Sequence, residues 1–215
     1  MSALAILPAG DSALLLRLGD TIDPAINARA LRIAQAIRDA GDSGVLDVVV
    51  GFASVTVFFD PLRVEAAVVD QRLRAAASAG TTPRNASRAV AVPVTYGGDA
   101  GPDVAEVAAF AGCTEAEVIE RHLAREYRVF MVGFLPGFAY MGIVDERIAM
   151  PRRDTPRLAV PAGSVGIAGR QTGIYPVKSP GGWRLIGRTA ETMFDPAKEP
   201  PALLQAGDTV RFVRV

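Results

Sequence analysis

Along this chain the spacing of apolar residues changes, and each change marks an element. Ala13 to Leu18 is a short apolar run after Gly10-Asp11 and reads as a strand. Asp23-Pro24 then offers an N-cap and a proline for the first helical position. Ile26, Ala30, Ile33 and Ile37 follow on one helical face, with Gly41 placed to stop the helix. Val45 to Val50 and Ser54 to Phe59 read as strands, and in the second Val55, Val57 and Phe59 alternate with Ser54, Thr56 and Phe58. Asp60-Pro61 repeats the helix-start signal. Leu62, Ala66, Val69, Leu73 and Ala76 supply that helix's apolar face and Gly80 its stop. Residues 79–88 are small and polar, as in a linker. Val90, Val92 and Val94 alternate as a strand, which Pro93 should confine to an edge or a bulge because it has no N–H to donate. The order β-α-β-β-α-β is the ferredoxin-like pattern.

The second half has a different texture. Tyr96-Gly97-Gly98 is a turn, and Val104, Val107, Ala108 and Ala111 suggest a short helix closed by Gly112. Thr114 to Glu117 is a capping box that opens another helix, which carries Val118, Ile119, His122 and Leu123. After Tyr127 the helical period vanishes. Glycine and proline then recur between short apolar runs, the signature of a small all-β sandwich or barrel. Gly207-Asp208 turns into a last strand, Thr209 to Val215. The fold class expected is α+β, in two domains, residues 1–88 and 89–215, the second led by short helices.

Composition narrows the classes of function. The 215 residues are 50% hydrophobic and 21% charged, enough to bury a sizeable core and too apolar for disorder. A formal net charge of zero argues against wholesale binding to nucleic acid or acidic membrane. No apolar run is long enough to span a bilayer, and the start lacks a basic segment followed by an apolar one. Cys113 is the only cysteine, so no intramolecular disulfide can form. These features set the expectation of a cytoplasmic protein. The charge is uneven, however. Arg147, Arg152, Arg153, Arg157, Arg170, Lys178, Arg184 and Arg188 face Asp154 alone in their stretch. That is either a solvated basic face or a site for a carboxylate, a phosphate or an acidic partner.

Each chemical motif has a plainer reading beside it. Ala162-Gly163-Ser164-Val165-Gly166 resembles a nucleophile elbow, but an α/β-hydrolase needs its histidine after the serine, and the only histidine here is His122. Glycines that allow a tight turn account for the same residues. His122, on an amphipathic helix, is either an acid–base group near neutral pH or a packed residue. With one histidine and one cysteine, no conventional zinc site can be built, and no metal site is expected. Gly173 to Ser179 lacks the glycine that a phosphate loop needs before its lysine. Neither Lys178 nor Lys198 sits in a biotin-attachment context. Trp183, after Gly181-Gly182, either anchors the core or stacks on a planar ligand whose carboxylate a flanking arginine takes.

Tyr127 to Gly142, read Tyr-Arg-Val-Phe-Met-Val-Gly-Phe-Leu-Pro-Gly-Phe-Ala-Tyr-Met-Gly, resembles the central signature of the 5-oxoprolinase B-subunit family, also called KipI or allophanate hydrolase subunit 1. Pro151-Arg152, Pro156-Arg157, Val160 to Gly169, Gln171 to Pro176 and Ser179 to Trp183 extend the resemblance. So do Asp60-Pro61, Tyr96 to Gly98 and Gly101-Pro102-Asp103. It implies a ferredoxin-like domain followed by a cyclophilin-like β-barrel. It also implies ATP-dependent opening of 5-oxoproline to L-glutamate. ATP and magnesium would be held by a complex of this chain with the A and C subunits of 5-oxoprolinase, the latter carboxyltransferase-like. The same resemblance admits a KipI-type inhibitor of a histidine kinase, or a component of a urea carboxylase or allophanate hydrolase system. Under the first reading the barrel should hold an anionic, cyclic substrate. Arg157, Ser164, Gln171, Thr172, Tyr175, Trp183 and Arg184 are its expected contacts, with His122 as acid–base group at the edge.

Overall fold

The computed structural model describes residues 4–79 and 88–215, and the chain divides into two compact units, 1–86 and 87–215. The Gly80 stop and nearly all of the expected linker lie outside the described residues.

The first unit runs β1 (Ala5–Pro8), β2 (Ala13–Arg17), α1 (Pro24–Asp39), β3 (Val45–Val50), β4 (Ser54–Phe59) and α2 (Ala66–Ser78). Its antiparallel sheet has the order β1-β2-β4-β3. Since β2 and β3 both oppose β4, they are parallel to each other, and α1 joins them across it in the split β-α-β arrangement of a ferredoxin-like unit. The Asp23 carboxylate accepts from the N–H groups of Ala25 and Ile26 at 2.6 and 3.1 Å, as its N-cap position requires. Gly41, at φ 63°, takes the left-handed position after the helix. Ala30, Ile33, Ala34 and Ile37 then bury against Val48, Val50, Val55 and Val57.

Two expectations change. The place beside β2 belongs to β1, which precedes it, whereas Val90 to Val94 lies in the other unit. Helix α2 begins at Ala66, not just after Pro61. The Asp60 carbonyl closes a single turn onto the N–H groups of Arg63 and Val64, its carboxylate caps Leu62, and Leu62 is left 94% exposed.

The second unit runs β5 (Ala89–Tyr96), α3 (Val104–Ala111), α4 (Glu115–Leu123), β6 (Glu126–Val132), β7 (Ala139–Gly142), a 3-10 turn (Glu146–Ile148), β8 (Arg157–Val160), β9 (Ser164–Ala168), β10 (Gln171–Ile174), β11 (Ser179–Gly181), β12 (Arg184–Arg188) and β13 (Thr209–Arg214). Seven strands close a barrel in the order β10-β7-β6-β13-β5-β12-β9, and β8 pairs with β11 as a separate arm. Val92, Val94, Val129, Met141, Val165, Ile167, Ile174, Ile186 and Phe212 fill the interior, so the barrel is a packed core and not a channel. Strand β5 is not an edge: it runs parallel to β13 from Ala89↔Thr209 to Val94↔Arg214. Val94 turns its carbonyl to β13, where the Val215 N–H meets it, so Pro93 faces the other side. On that side the β12 ladder reaches only Thr95 and Tyr96, and no donor is needed at Pro93.

The entry to α3 lies directly on β12. Gly97 N–H donates to the Ile186 carbonyl at 3.1 Å, and Asp103 exchanges hydrogen bonds with Leu185. Only glycine fits between these contacts, because a Cβ on Gly101 would stand 2.0 Å from the Ile186 carbonyl oxygen. Gly101→Ala is therefore expected to destabilise the second unit by roughly 3 kcal/mol. Gly133→Ala, whose Cβ would meet only the Met131 methyl at 3.5 Å, should stay within about 0.5 kcal/mol of the parent. Urea denaturation followed by Trp183 fluorescence measures both, and equal losses would overturn this account of the α3 entry.

Candidate functional site

Strands β9 and β10 divide their residues between two faces. Val165, Ile167 and Ile174 point into the barrel, so Ser164, Gly166, Ala168, Gln171 and Gly173 face outward. Over the outward glycines lies a layer of aromatic rings. Phe138 meets Tyr140, Tyr175 and Trp183 edge-on at centroid distances of 4.8, 5.3 and 5.4 Å, and Tyr140 meets Trp183 at 5.9 Å. A Cβ on Gly173 would stand 3.0 Å from both Phe138 and Trp183, and one on Gly181 would run into the Tyr175 ring. The glycines of this stretch are thus seats for rings. Trp183 is 7% exposed and packed with Val160 and Leu185, an anchor of this layer rather than a free stacking surface. Phe134, held at φ 70° and largely exposed, stands edge-on to Phe138 at 5.5 Å and carries the layer to the surface.

The basic stretch is mostly neutralised from elsewhere in the chain. Asp103, buried at the entry to α3, accepts from the Leu185 N–H at 2.7 Å, from Arg157 at 2.6 Å and from Arg153 at 3.5 Å. Glu106 pairs with Arg184 and, at 3.9 Å, with Arg153. Arg170 pairs with Glu146 at 3.4 Å and Arg147 with Asp145 at 2.7 Å. Arg152 is exposed and pairs with no carboxylate among the described residues. It stands by the aromatic layer. Burial raises the Tyr140 and Tyr175 hydroxyls above the ordinary tyrosine value, and the Arg152 charge opposes that rise in both. Arg157 Nη1 and Ser164 Oγ nearby are buried without a hydrogen-bond partner among the described residues. The result is an exposed guanidinium beside a half-buried tyrosine, above a rigid aromatic floor. Such a surface can take a carboxylate on the guanidinium and lay a small ring against Tyr140.

The expected site residues do not all meet. Arg157, Ser164, Gln171, Tyr175 and Trp183 share the outer face or its rim, and Arg184 is held there by Glu106. Thr172 and His122 lie inside the barrel, both fully buried. His122 is stacked between Tyr127 and Phe212 at 5.0 and 4.7 Å. One arrangement satisfies every polar group: the Tyr96 hydroxyl donates to Nδ1 at 2.9 Å, Nε2–H donates to Thr172 Oγ1 at 3.0 Å, and Thr172 donates to the Gly166 carbonyl at 3.0 Å. This neutral histidine ties α4 to β5 and β10, with no solvent and no free ring nitrogen for acid–base work. The contributions of Asp103, Tyr140 and Arg152 were not singled out from sequence. All three lie in stretches that carry the family resemblance, but nothing in the spacing says that Asp103 would consume two arginines and leave Arg152.

Burial lowers the pKa of His122 from 6.5 to about 3. The unfolded chain therefore binds a proton below pH 6.5 that the folded chain refuses until about pH 3. Stability contributed by the neutral ring is present above pH 6.5 and lost as pH falls through that window, by at most about 1.4 kcal/mol per pH unit. Urea titrations at pH 7 and pH 5 should show a loss in the parent that shrinks by roughly 2 kcal/mol in His122→Gln. The same loss in both proteins would contradict a neutral, buried His122.

Comparison with known proteins places the chain in a family. The carboxyltransferase domain, subdomain C and D, family matches residues 4–204. The chain is 42% identical to the 5-oxoprolinase B subunit of Bacillus subtilis (strain 168), over 96% of this chain and 90% of that protein. It is 43% identical to the 5-oxoprolinase B subunit of Escherichia coli O157:H7, over 95% and 93%. The crystal structure of TTHA0988 superposes with a TM-score of 0.85 at 37% identity, covering 94% of this chain and 40% of that longer one. With 42–43% identity to these relatives over nearly the whole chain, the chain belongs to the 5-oxoprolinase B-subunit family.

Proposed function

We propose that this chain is the B subunit of an ATP-dependent 5-oxoprolinase, which opens 5-oxoproline to L-glutamate together with an A partner and a carboxyltransferase-like C partner. The observation that carries this reading is the 40–43% identity, over 95–97% of the chain, to proteins that bear the 5-oxoprolinase B-subunit name. The outer aromatic layer suits that substrate. The guanidinium of Arg152 takes the carboxylate of 5-oxoproline, and the lactam ring lies against Tyr140, braced from below by Trp183 and Phe138. Arg157 and Gln171 supply further polar groups at the rim.

Opening a lactam needs more than binding. The carbonyl must be polarised, water must be activated, and charge building up on the carbonyl oxygen must be stabilised. His122, with both ring nitrogens occupied, contributes none of these. In this reading the chain binds and orients the substrate. Its C and A partners complete the site and hold ATP with its magnesium, and the assembly is cytoplasmic. Among the described residues no helix is long and apolar enough to cross a membrane.

The test is to purify the chain alone, then with its C and A partners, and to measure glutamate formed from 5-oxoproline and ATP. Only the full set should produce glutamate at a sustained rate. Glutamate formation by the chain alone would refute the division of labour. A full set that is inactive on 5-oxoproline, while this chain blocks a histidine kinase, would replace the reading with an inhibitor.

A further inference from the structure

Among the described residues the backbone turns left-handed at glycines, with one exception, Phe134 at φ 70°. A bulky side chain is disfavoured there because its Cβ crowds the neighbouring carbonyl oxygen. Burial would offset that cost, yet the Phe134 ring is 60% exposed. Its one ring contact among the described residues is edge-on to Phe138, at a centroid distance of 5.5 Å.

The chain on both sides holds this conformation in place. The loop between β6 and β7 is closed by the Gly133 N–H, which donates to the Phe138 carbonyl at 3.0 Å, and by the Phe138 N–H, which donates to the Leu135 carbonyl at 2.9 Å. Leu135 packs against the aromatic layer. Gly137 lies so close to the neighbouring loop that a Cβ there would stand 2.7 Å from Cβ of Phe194 and 2.9 Å from the Met193 carbonyl oxygen. A well-anchored loop thus holds one strained ring out in solvent, where it does little for the core. Strain kept in that way marks a group that acts on something outside the fold.

We propose that Phe134 is a side wall of the outer site and packs against the lactam ring of 5-oxoproline while Arg152 holds the carboxylate. The inference rests on the reading of the aromatic layer as the substrate site. Continuity selects a small ligand over a protein partner. Phe134 leans on Phe138, the same ring that meets Tyr140 at 4.8 Å, where the lactam is placed. A phenyl ring there offers apolar area to the methylene groups of the lactam and makes no polar demand of its own.

The experiment reconstitutes the enzyme with its C and A partners from the parent, F134N, F134Y and R152Q chains. Asparagine tolerates the left-handed backbone and removes the ring, whereas tyrosine keeps the ring. F134N should raise KM for 5-oxoproline roughly five- to ten-fold with kcat nearly unchanged, and F134Y should behave as the parent. The melting temperature of F134N should equal or exceed that of the parent, since the strain leaves with the ring. An unchanged KM in F134N beside a raised KM in R152Q overturns the proposal and leaves the substrate site standing. An unchanged KM in both, or a full set inactive on 5-oxoproline, removes the site and the proposal together. A raised KM in F134N that vanishes at higher partner concentration makes the ring a partner anchor, and a lowered melting temperature makes it a structural clamp. Either result overturns the substrate contact.

Discussion

One buried carboxylate governs the outer face of the barrel. Asp103 is 2% exposed, and a charge that deep is stable only with close partners. It has three: the Leu185 N–H, Arg157 and Arg153. The first fixes the entry of α3 to β12, and the other two fix β8 and the loop before it. Arg153 is held a second time through its backbone N–H, which donates to the Gly182 carbonyl at 2.7 Å. The arm that carries Arg152 is thereby anchored, while Arg152 itself pairs with no carboxylate among the described residues. Removing the Asp103 charge would strand Arg157, whose Nη1 already lacks a partner among the described residues, so the position tolerates little change.

Inside and outside the barrel, two kinds of packing are kept apart. The interior accepts a histidine only because Tyr96, Thr172 and the Gly166 carbonyl satisfy it as a neutral ring. The exterior accepts three large rings only because Gly166, Gly173 and Gly181 lack side chains beneath them. Gly166 serves both layers, giving its carbonyl to Thr172 inside and its bare Cα to Trp183 outside. A change in the core at this point would therefore shift the outer aromatic layer. Interactions at barrel glycines and aromatics are thus coupled, and their substitutions should not be additive.

Local signals were legible in the sequence because the chemistry that sets them is local. The Asp23-Pro24 start, the Gly41 and Gly112 stops and the Thr114 to Glu117 capping box all stand where spacing placed them. The strand from Val90 to Val94 was also legible, but not its partner. Its pairing with β13 joins residues more than a hundred positions apart, and alternation cannot tell which sheet receives a strand. At four residues, β1 was too short to show a period. The candidate site was half legible. Tyr175, Trp183 and Arg157 were singled out for chemistry, and they do gather on one face. The basic run looked like a field of free charge because Asp103 and Glu106, which neutralise much of it, come from some fifty to eighty residues earlier. His122 carried the side chain of an acid–base group, yet burial decided otherwise, and burial is a property of the closed barrel.

We propose that Arg152, which pairs with no carboxylate among the described residues, takes the substrate carboxylate. The most direct measurement is the steady-state kinetics of Arg152→Gln in the enzyme reconstituted with its C and A partners, beside the thermal stability of the same variant. A charge-assisted arginine–carboxylate contact contributes about 1.5–3 kcal/mol, so KM for 5-oxoproline should rise roughly 10- to 100-fold with stability unchanged. Arg152→Lys should recover part of that loss, since the charge remains while the two-pronged geometry does not. An unchanged KM in Arg152→Gln would contradict the claim and remove the aromatic layer as the substrate site.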